Sequence, residues 1–572
     1  MTKHALTEQI PEYLTPYIAE QDPSLYTPMD HASWRFILKV SQAYFPEVAH
    51  GKYLKGLKET GISVERIPLI QEMDQCLRKF HWRAVAVTGF IPPSVFMEFL
   101  SLGVLPIACD MRTFDHLAYT PAPDIVHEAA GHAPIIADAE YSAYLRSYGE
   151  ISRKAIFSHQ DVDVYNAIRH LSDTKEDPNA VYVQIEAAQA RLNHTIAAVT
   201  YVSEATLLSR MGWWTFEYGL IGSSDKPKIY GAGLLSSLEE GYHCLDAAVK
   251  KIPFSIDCIE TSFDITKPQP QLFVAKDFHE LKNALEALAD KMAFRKGGIE
   301  GLEKAKRAGT VTTTELDTGV QISGNLVRVI QDSSSMPRYL QFKGPTQLAY
   351  KDTELPEQGA RYHHEGYGTP LEDLSDSDLK KAGVAVGKKG HLRFSSGISV
   401  EGKCTKIVRQ DGRPILLSFE DCTVKHNAET LFQPEWGTYD MACGGQVVSV
   451  FGGAADRKKY LEATGGFKQD PGRQKSNLTE DNRDLNELYG KLRALREAGT
   501  WKKESTEALS DLHTLVQRRY PSEWLLRYEL LELAMKQKLD LAWMDAVRMR
   551  LKEISQESPE KGKMISRGLE LL

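Results

Sequence analysis

The sequence predicts a mainly α-helical domain at residues 1–297, a β-rich domain at residues 298–460 and a helical C-terminal region at residues 461–572. Two observations predict this order. Apolar residues recur at intervals of three and four near both ends of the chain, which is the period of an amphipathic helix. Between these ends, short β-type runs alternate with turn residues. A chain of 572 residues is also too long for one hydrophobic core, so several domains are expected.

The helical pattern of the first region is clearest near its end. Phe278–Ala289 has its apolar residues on one face of a predicted helix. Gly297 and Gly298 follow shortly afterwards, and a glycine pair is typical of a break between structural elements. The first domain boundary is therefore predicted at this pair.

The β-rich region is predicted from short runs of β-branched and apolar residues at Val311–Thr314, Val320–Ile322, Leu326–Ile330, Ile415–Phe419 and Gln446–Phe451. After about residue 475 the helical period returns. Trp524, Tyr528, Leu531 and Met535 follow one another at spacings of four, three and four, which puts them on one helical face. This face is expected to pack against the chain's own core rather than against a second protomer.

The composition is that of a globular enzyme of the cytoplasm. The net charge of −8, from 69 basic and 77 acidic residues, argues against nucleic acid and anionic membranes as partners. The first residues lack the apolar core of a signal peptide, and no apolar run is long enough to span a bilayer. The cysteines form no CxxC pair, which predicts free thiols in a reducing compartment.

The densest cluster of metal-ligating residue types is the segment Asp124–His132, which carries two histidines and Glu128. In the HExxH motif of zinc metalloproteases the histidines are four residues apart and share one helical face. Here His127 and His132 are five residues apart, about 140° out of phase on an ideal helix. Either the helix is distorted near Gly131 or the rings converge from its two sides. A zinc hydrolase with Glu128 as general base is therefore the less favoured alternative.

A second carboxylate, Glu217, lies among the aromatic and apolar residues of the segment Trp213–Leu220. An ionised glutamate in such surroundings needs a positive partner. A metal ion is one candidate and a buried Arg or Lys is the other, and spacing alone favours neither. Two histidines and one carboxylate on Fe(II) leave three positions open for oxygen and substrate.

These segments resemble the pterin-dependent aromatic amino acid hydroxylases, in blocks that follow the order of that family. The blocks contain Tyr26–Thr27 with His31 and Trp34, Tyr53–Leu57, Arg66–Pro68, Thr88–Phe90, Arg112, Tyr119–Pro134, Trp213–Leu220 and Tyr230–Ser237. The resemblance extends from about Tyr26 to about Phe294. It implies a mainly α catalytic domain of the aromatic amino acid hydroxylase type, and a monooxygenase that uses Fe(II), a tetrahydropterin and O₂.

The resemblance assigns the cofactor sites residue by residue. His127, His132 and Glu217 match the iron ligands of the family, and Glu128 matches the acid that contacts the pterin ring. The cofactor supplies the redox chemistry, so the protein's part is placement and exclusion of water. The other residues that match the pterin site are Gly89, Ile91 and Phe96, the last by stacking.

The resemblance also implies a site for an aromatic amino acid. Arg112 matches the anchor of the substrate carboxylate, because a planar guanidinium binds a carboxylate through two hydrogen bonds. The residues that match the pocket wall are Thr120, Pro123, Trp213, Gly233 and Ser236. Trp213 is expected to offer an aromatic face to the substrate ring. The predicted catalytic residues are Glu128, Arg112, Trp213 and Ser236.

The identity of the amino acid is predicted from two residues. Trp213 is typical of the phenylalanine and tyrosine hydroxylases, and Ile265 lies where phenylalanine hydroxylases have an aliphatic residue. The resemblance therefore favours conversion of L-phenylalanine to L-tyrosine, a reaction of phenylalanine catabolism, with pterin-recycling enzymes as functional partners. Hydroxylation of tyrosine or tryptophan is the alternative, because an apolar pocket discriminates weakly against one added hydroxyl.

Three features depart from the family pattern. Gly212 stands where members usually have a tyrosine near the iron. The interval between His132 and Glu217 is longer than in the animal enzymes, which predicts an inserted helical excursion at about residues 152–191. Only a short segment precedes Tyr26, so a regulatory domain like that of the animal enzymes is expected to be absent.

The second half of the chain carries no comparable cluster of chemical residues. Residues 1–297 are therefore expected to form a self-contained catalytic unit, active without the remainder. The β-rich and C-terminal regions are expected to serve assembly into a homo-oligomer, regulation or partner binding. A binding or scaffold protein whose C-terminal half supplies the activity is the other alternative.

Overall fold

The computed structural model describes residues 10–572, except residues 119, 121, 176, 178, 179, 266, 467–472 and 558. Its elements follow the predicted order, with a mainly helical N-terminal half, a β-rich region and C-terminal helices. In the described part of the chain no helix is long and apolar enough to cross a membrane. The cysteines in that part are free thiols.

The N-terminal half contains twelve α-helices in the described residues: α1 (Pro28–Val48), α2 (Tyr53–Glu59), α3 (Ile70–Leu77), α4 (Pro93–Ser101), α5 (Ala139–Ser152), α6 (His159–Lys175), α7 (Tyr182–Ala197), α8 (Glu204–Gly212), α9 (Ala232–Ser236), α10 (Leu238–His243), α11 (Phe278–Ala289) and α12 (Ala293–Lys296). Two π-helices occur as well, π1 (Val126–His132), continued by the helical turn Ala133–Ile135, and π2 (Trp213–Glu217). Short 3-10 helices lie at Glu12–Tyr17, Pro23–Leu25, Arg78–Phe80, Phe114–His116 and Ile256–Glu260.

Local sequence explains where the principal helices begin. At the start of α1, Thr27 Oγ1 accepts a hydrogen bond from the Asp30 N–H, and the Asp30 carboxylate accepts one from the Thr27 N–H. This reciprocal cap satisfies two backbone donors that a helix end leaves without partners. Asp277 caps α11 by accepting a hydrogen bond from the Glu280 N–H at 2.9 Å. Helix α11 covers the helix predicted at Phe278–Ala289, so that prediction is confirmed.

Two small sheets complete the N-terminal half. Strands β1 (Arg83–Val87) and β2 (Val104–Ala108) pair in parallel, joined by α4. A four-stranded sheet has the order β4-β3-β6-β5 and consists of β3 (Leu220–Ser223), β4 (Lys226–Ile229), β5 (Lys250–Pro253) and β6 (Gln271–Ala275). The segments that leave β2 and precede β3 carry the site described below.

The predicted helical excursion is confirmed as the hairpin of α6 and α7. The two helices pack on each other through a small apolar cluster of their own, formed by Ala167, Leu171, Ala188 and Leu192. The hairpin also contacts the main body, since the Tyr165 hydroxyl donates a hydrogen bond to the Phe90 carbonyl at 3.0 Å.

The β-rich region begins with α13 (Gly298–Ala308) and forms two antiparallel sheets. One has the order β10-β9-β8-β7-β17 with β11 beside β9, and the other has the order β12-β13-β14-β15 with β16 beside β14. The strands are β7 (Val311–Leu316), β8 (Val320–Gln331), β9 (Pro337–Tyr350), β10 (Thr353–Glu354), β11 (Gly366–Pro370), β12 (Lys389–Arg393), β13 (Ile398–Gln410), β14 (Arg413–His426), β15 (Glu429–Phe432), β16 (Tyr439–Ala442) and β17 (Val447–Gly452). The predicted runs all lie in strands, apart from Gln446 immediately before β17. The remaining helices of the region are α14 (Asp376–Lys381), the 3-10 turn Pro434–Trp436 and α15 (Arg457–Thr464).

The C-terminal helices are α16 (Arg483–Glu497), α17 (Lys503–Arg519), α18 (Leu525–Lys536), α19 (Met544–Glu557) and α20 (Pro559–Leu569). Helix α18 packs on α1, where the Phe36 ring lies edge-on to Trp524 at 5.0 Å and to Tyr528 at 5.2 Å between ring centroids. Trp524, Tyr528 and Leu531 are buried, so the predicted packing of this face against the chain's own core is confirmed.

The core of the N-terminal half continues into these helices. One apolar cluster contains residues of α1, π1 and α11 together with residues of α16 to α20. The buried Arg35 of α1 also forms an ion pair with the buried Glu529 of α18. A chain ending at residue 297 would expose part of this core, which argues against the expectation that residues 1–297 are self-contained.

Candidate active site

Helix π1 brings His127 and His132 together although they are five residues apart. In a π-helix an N–H bonds to the carbonyl five residues earlier, so residues at this spacing are one turn apart. The two imidazole centroids lie 4.9 Å apart, with ring planes at 84°. Of the two arrangements that the sequence left open, the distorted helix is the one observed, and a Cβ at Gly131 would lie 2.7 Å from the carbonyl oxygen of Ala232. Glycine therefore allows α9 to approach the π-helix closely.

Helix π2 brings a carboxylate to the two imidazoles. Glu217 Oε2 lies 3.2 Å from His127 Nε2, and Glu217 Oε1 lies 3.2 Å from His132 Nε2. Ligand atoms that each lie about 2.1 Å from one metal ion are separated by about 3 Å. The donor set and its spacing therefore fit a single metal ion. In the described part of the chain these histidines, rather than an Arg or Lys, are the ion-pair partners of Glu217.

The charges of this group stabilise one another. Burial alone would lower the pKa of His127, but the adjacent Glu217 carboxylate raises it to about 9. The Glu217 carboxyl group is also buried, yet the two imidazoles hold its pKa well below its usual range. Glu217 thus needs a positive charge at this position, and a metal cation would supply that charge in place of the His127 proton.

Ser236 fixes the orientation of the His127 ring. Its hydroxyl lies 3.1 Å from His127 Nδ1 and donates a hydrogen bond to the Ala232 carbonyl at 2.7 Å. With its proton committed to the carbonyl, the hydroxyl accepts from Nδ1–H, which assigns the ring proton to Nδ1. Nε2 then faces Glu217, and once a metal cation replaces the proton on Nε2 its lone pair is the one available as a ligand.

Glu128 supplies a second carboxylate to the same centre. One oxygen of its carboxylate and the ligand nitrogens of His127 and His132 lie within 4.8 Å of one another. Glu128 Oε2 is buried and has no hydrogen-bond partner in the described residues. Burial raises the pKa of this carboxyl group. A buried carboxyl oxygen without a partner fits a bound group that donates N–H, as a pterin ring does.

Of the other predicted pterin residues, Gly89 and Ile91 lie on the segment that joins β1 to α4, and Phe96 lies in the first turn of α4. Gly89 has φ of +54°, a conformation that favours glycine, and its N–H donates to Asp110 Oδ2 at 2.9 Å. No atom lies within 4 Å of a Cβ built at Gly89, so one side of this turn is open. Ile91 and Phe96 are half-buried against the core.

Arg112 is buried, with 1% of its side chain exposed, and Asp124 forms an ion pair with one edge of its guanidinium. Its Nε and Nη2 donate to the two Asp124 oxygens at 2.7 and 2.9 Å, and its Nη1 donates to the Ser236 carbonyl at 3.2 Å. A guanidinium has five N–H bonds. Two of them, one on each terminal nitrogen, have no acceptor among the described residues. These two are suited to an incoming carboxylate.

The residues predicted to form the wall of the amino acid pocket differ in their contacts. Thr120 turns its hydroxyl to the Ala122 carbonyl at 2.9 Å, and Pro123 is half-buried beside π1. A Cβ at Gly233 would lie 2.7 Å from the Tyr218 ring. Trp213 stacks on both Tyr218 and Phe263, with ring centroids 4.4 and 4.3 Å apart. Both rings stack on Trp213, so the expected face-on contact between Trp213 and substrate would need one of them to move, and in this conformation Trp213 offers an edge.

Sequence reasoning missed three residues of the site. Asp124 forms an ion pair with Arg112. It lies in the same segment as His127 and His132, and this position beside π1 was the available signal. A Cβ at Gly212 would lie 2.7 Å from the Tyr148 hydroxyl, so Tyr148 occupies the space beside the residue that departs from the family pattern. Tyr141 is buried with its hydroxyl unpartnered among the described residues, and its pKa is raised by burial and by Glu217.

Comparison with known proteins identifies the class of this site. A family model for the biopterin-dependent aromatic amino acid hydroxylases matches residues 16–165 and 188–296. The gap between the two matched segments falls within the α6–α7 hairpin. Over these two segments, just under half of the chain, the protein is similar to that biopterin-dependent family.

Individual relatives are similar over about half of the chain. A phenylalanine-4-hydroxylase of Ralstonia nicotianae is 29% identical over 51% of this chain and 83% of its own length. The phenylalanine-4-hydroxylases of Chromobacterium violaceum and Pseudomonas aeruginosa are 27% and 26% identical, over 73% and 87% of their lengths. A solved structure of the Chromobacterium violaceum enzyme with bound iron(III) and 7,8-dihydrobiopterin covers 49% of this chain and 92% of its own, with 24% identity and a TM-score of 0.38.

Proposed function

We propose that the chain hydroxylates L-phenylalanine to L-tyrosine with Fe(II), a tetrahydropterin and O₂. The observation that carries the proposal is the convergence of two imidazole nitrogens on one carboxylate, at 3.2 Å each, next to the unpartnered oxygen of Glu128. Similarity to several proteins named phenylalanine-4-hydroxylase supports phenylalanine as the substrate.

In this proposal His127, His132 and Glu217 hold iron, which together with tetrahydropterin supplies the activation of O₂. Three protein ligands leave the remaining positions of the metal to small molecules. Ser236 keeps His127 in the tautomer that ligates through Nε2. Glu128 accepts N–H donors of the pterin, and Gly89 and Ile91 of the loop before α4, together with Phe96 of α4, supply the other contacts to it.

Arg112 orients the amino acid by its carboxylate. Asp124 and Ser236 fix the guanidinium before substrate arrives, so the two remaining N–H bonds are already aligned. Such preorganisation lowers the entropy lost on binding and sets the position of the aromatic ring relative to the metal. Thr120, Pro123, Trp213 and Gly233 then line the pocket and exclude water.

Phenylalanine is preferred to tyrosine in this proposal because apolar and aromatic residues surround the ring. Phe263 stacks on Trp213 only two residues before Ile265. An apolar wall gives no partner to a phenol hydroxyl, and burial of an unpaired hydroxyl is unfavourable. The difference is modest for a pocket of this kind, so tyrosine is expected as a poor substrate rather than an inert one.

Oxygen uptake and metal analysis test the proposed function. Protein loaded with Fe(II) should consume O₂ and form L-tyrosine only when L-phenylalanine and a tetrahydropterin are both present. Glu217→Ala should abolish product formation and lower the bound iron, since one ligand is lost. Zinc-loaded protein should be inactive. Activity with zinc, or full activity in Glu217→Ala, would contradict the assignment of the metal site.

A further inference from the structure

A short connector from the second half of the chain, residues 474–477, lies on the amino acid site. Asn477 Nδ2 donates to Asp30 Oδ1 at 2.9 Å, to the Met111 carbonyl at 3.0 Å and to the Arg112 carbonyl at 3.3 Å. One amide therefore joins the N-terminal cap of α1 to the backbone on which Arg112 stands. The connector lies outside the segments that match the family.

The backbone of the connector reaches the pterin loop through Asp110. The Lys475 N–H donates to Asp110 Oδ1 at 2.8 Å, and the Gly89 N–H donates to Asp110 Oδ2 at 2.9 Å. One carboxylate thus bridges the connector to the glycine of the predicted pterin site. Burial raises the pKa of Asp110, which the two N–H donors and nearby Lys475 oppose.

The loop after β2 needs this support. Strand β2 ends at Ala108, so Met111 and Arg112 have left the pairing of the sheet. Buried carbonyls that lack a donor are unfavourable, and in the described part of the chain Asn477 donates to both of these carbonyls. Asp124 and Ser236 fix the side chain of Arg112. Its backbone N–H donates to Asp124 Oδ2 at 3.2 Å, and its backbone carbonyl accepts from Asn477.

We propose that the connector is a positioning element of the amino acid site, with Asn477 setting the place of Arg112. This inference rests on the proposed function, in which Arg112 binds the substrate carboxylate. It assigns the second half of the chain a part in substrate binding, because a small displacement of an anchoring group weakens a correctly oriented complex strongly.

The test compares three single variants of the full-length, iron-loaded protein. Asn477→Ala should raise the KM for L-phenylalanine roughly ten-fold and leave the KM for tetrahydropterin within two-fold, because it releases Asp30 and the Met111 and Arg112 carbonyls but not Asp110, which holds Gly89. Asp110→Ala should raise both KM values, since Asp110 also holds Gly89. Ser476→Ala is the matched control: its hydroxyl bonds to the Leu25 carbonyl at 2.9 Å, away from the Arg112 loop, and neither KM should change.

Binding of L-phenylalanine measured by isothermal titration calorimetry gives a readout that does not depend on turnover. A wild-type KM and affinity for L-phenylalanine in Asn477→Ala would overturn the inference, as would a change in kcat alone. If Asn477→Ala does not fold, Asp110→Ala decides, and unchanged KM values there would overturn it. If wild-type protein does not bind L-phenylalanine, or Arg112→Lys binds it equally well, the proposed function itself fails.

Discussion

At the scale of single residues, the site is built from charged groups that already have partners within the protein when no substrate is bound. Arg112 and Asp124 are both nearly fully buried, and each would be strongly destabilising without the other. The pairing uses one edge of the guanidinium and leaves the other edge for a ligand. In the proposed function, Arg112 thus binds Asp124 through one pair of N–H bonds and the substrate carboxylate through another.

This division predicts the effect of Arg112→Lys. Lysine keeps the positive charge but cannot donate to Asp124 and to a second carboxylate along two planar edges. The kcat/KM for L-phenylalanine is expected to fall by about ten-fold or more, the equivalent of a charge-assisted hydrogen bond worth about 1.5–3 kcal/mol. The KM for tetrahydropterin should change little. Steady-state kinetics with each substrate varied in turn measure both, and equal losses for the two would contradict the anchoring role.

At the scale of elements, two π-helices carry the three proposed metal ligands, and the departure of π1 from α-helical geometry brings His127 and His132 together. The pairing of α1 with α18 is as important for the fold. Arg35 donates to both oxygens of Glu529, and Arg496 of α16 lies 3.5 Å from the same carboxylate. These buried charges compensate one another only while the C-terminal helices stay docked.

Removal of one member of this group is therefore expected to be costly. Glu529→Leu should lower the free energy of unfolding by about 3–5 kcal/mol, because Arg35 keeps a buried charge without its main partner. The double variant Arg35→Met with Glu529→Leu should recover part of that loss. Urea titration followed by circular dichroism measures both.

An exposed pair in the same region provides the control for this prediction. Arg519 and Asp484 are 2.8 Å apart, with about half of each side chain exposed. Asp484→Ala should change the free energy of unfolding by less than about 1 kcal/mol, since solvent screens such pairs. A similar loss for Asp484→Ala and Glu529→Leu would show that burial of the α1–α18 pair is not the cause.

At the scale of the whole molecule, the N-terminal half depends on the C-terminal helices for its core. Phe36, Trp524 and Tyr528 form one aromatic cluster between them. The C-terminal helices therefore complete the domain that carries the site. Assembly into a homo-oligomer, a cytoplasmic location and pterin-recycling partners stay predictions from the sequence.

A chain that ends near residue 300 is accordingly expected to lose stable structure. It would expose the apolar face of α1 and leave Arg35 buried or half-buried without Glu529. Far less of it should be soluble, and L-phenylalanine should not bind. Supply of residues 473–572 as a separate chain should restore part of the soluble fraction. Sedimentation and calorimetry measure these outcomes, and a folded, iron-loaded fragment with a wild-type KM would contradict this view.

The sequence by itself determined the order of the three regions and the chemical identity of the site. Phe278–Ala289 and the β-type runs were predicted correctly because their periodicity is local. His127, His132 and Glu128 were identified because they are crowded into one segment of unusual composition. The family resemblance added Glu217 and Arg112, whose roles no spacing alone assigns.

Only the tertiary structure decided how these parts depend on one another. The contact of Asn477 with the Arg112 loop joins residues 365 positions apart, and the Arg35–Glu529 pair joins residues 494 apart. Neither has a periodic or compositional signature, because a hydrogen bond between distant segments leaves no pattern along the chain. The tilt of the two imidazoles is also set by packing against α9. Gly131 allows α9 to approach closely, and Ser236 of α9 contacts the His127 ring. Local preference therefore fixed the elements, whereas long-range contacts fixed which half of the chain completes the site.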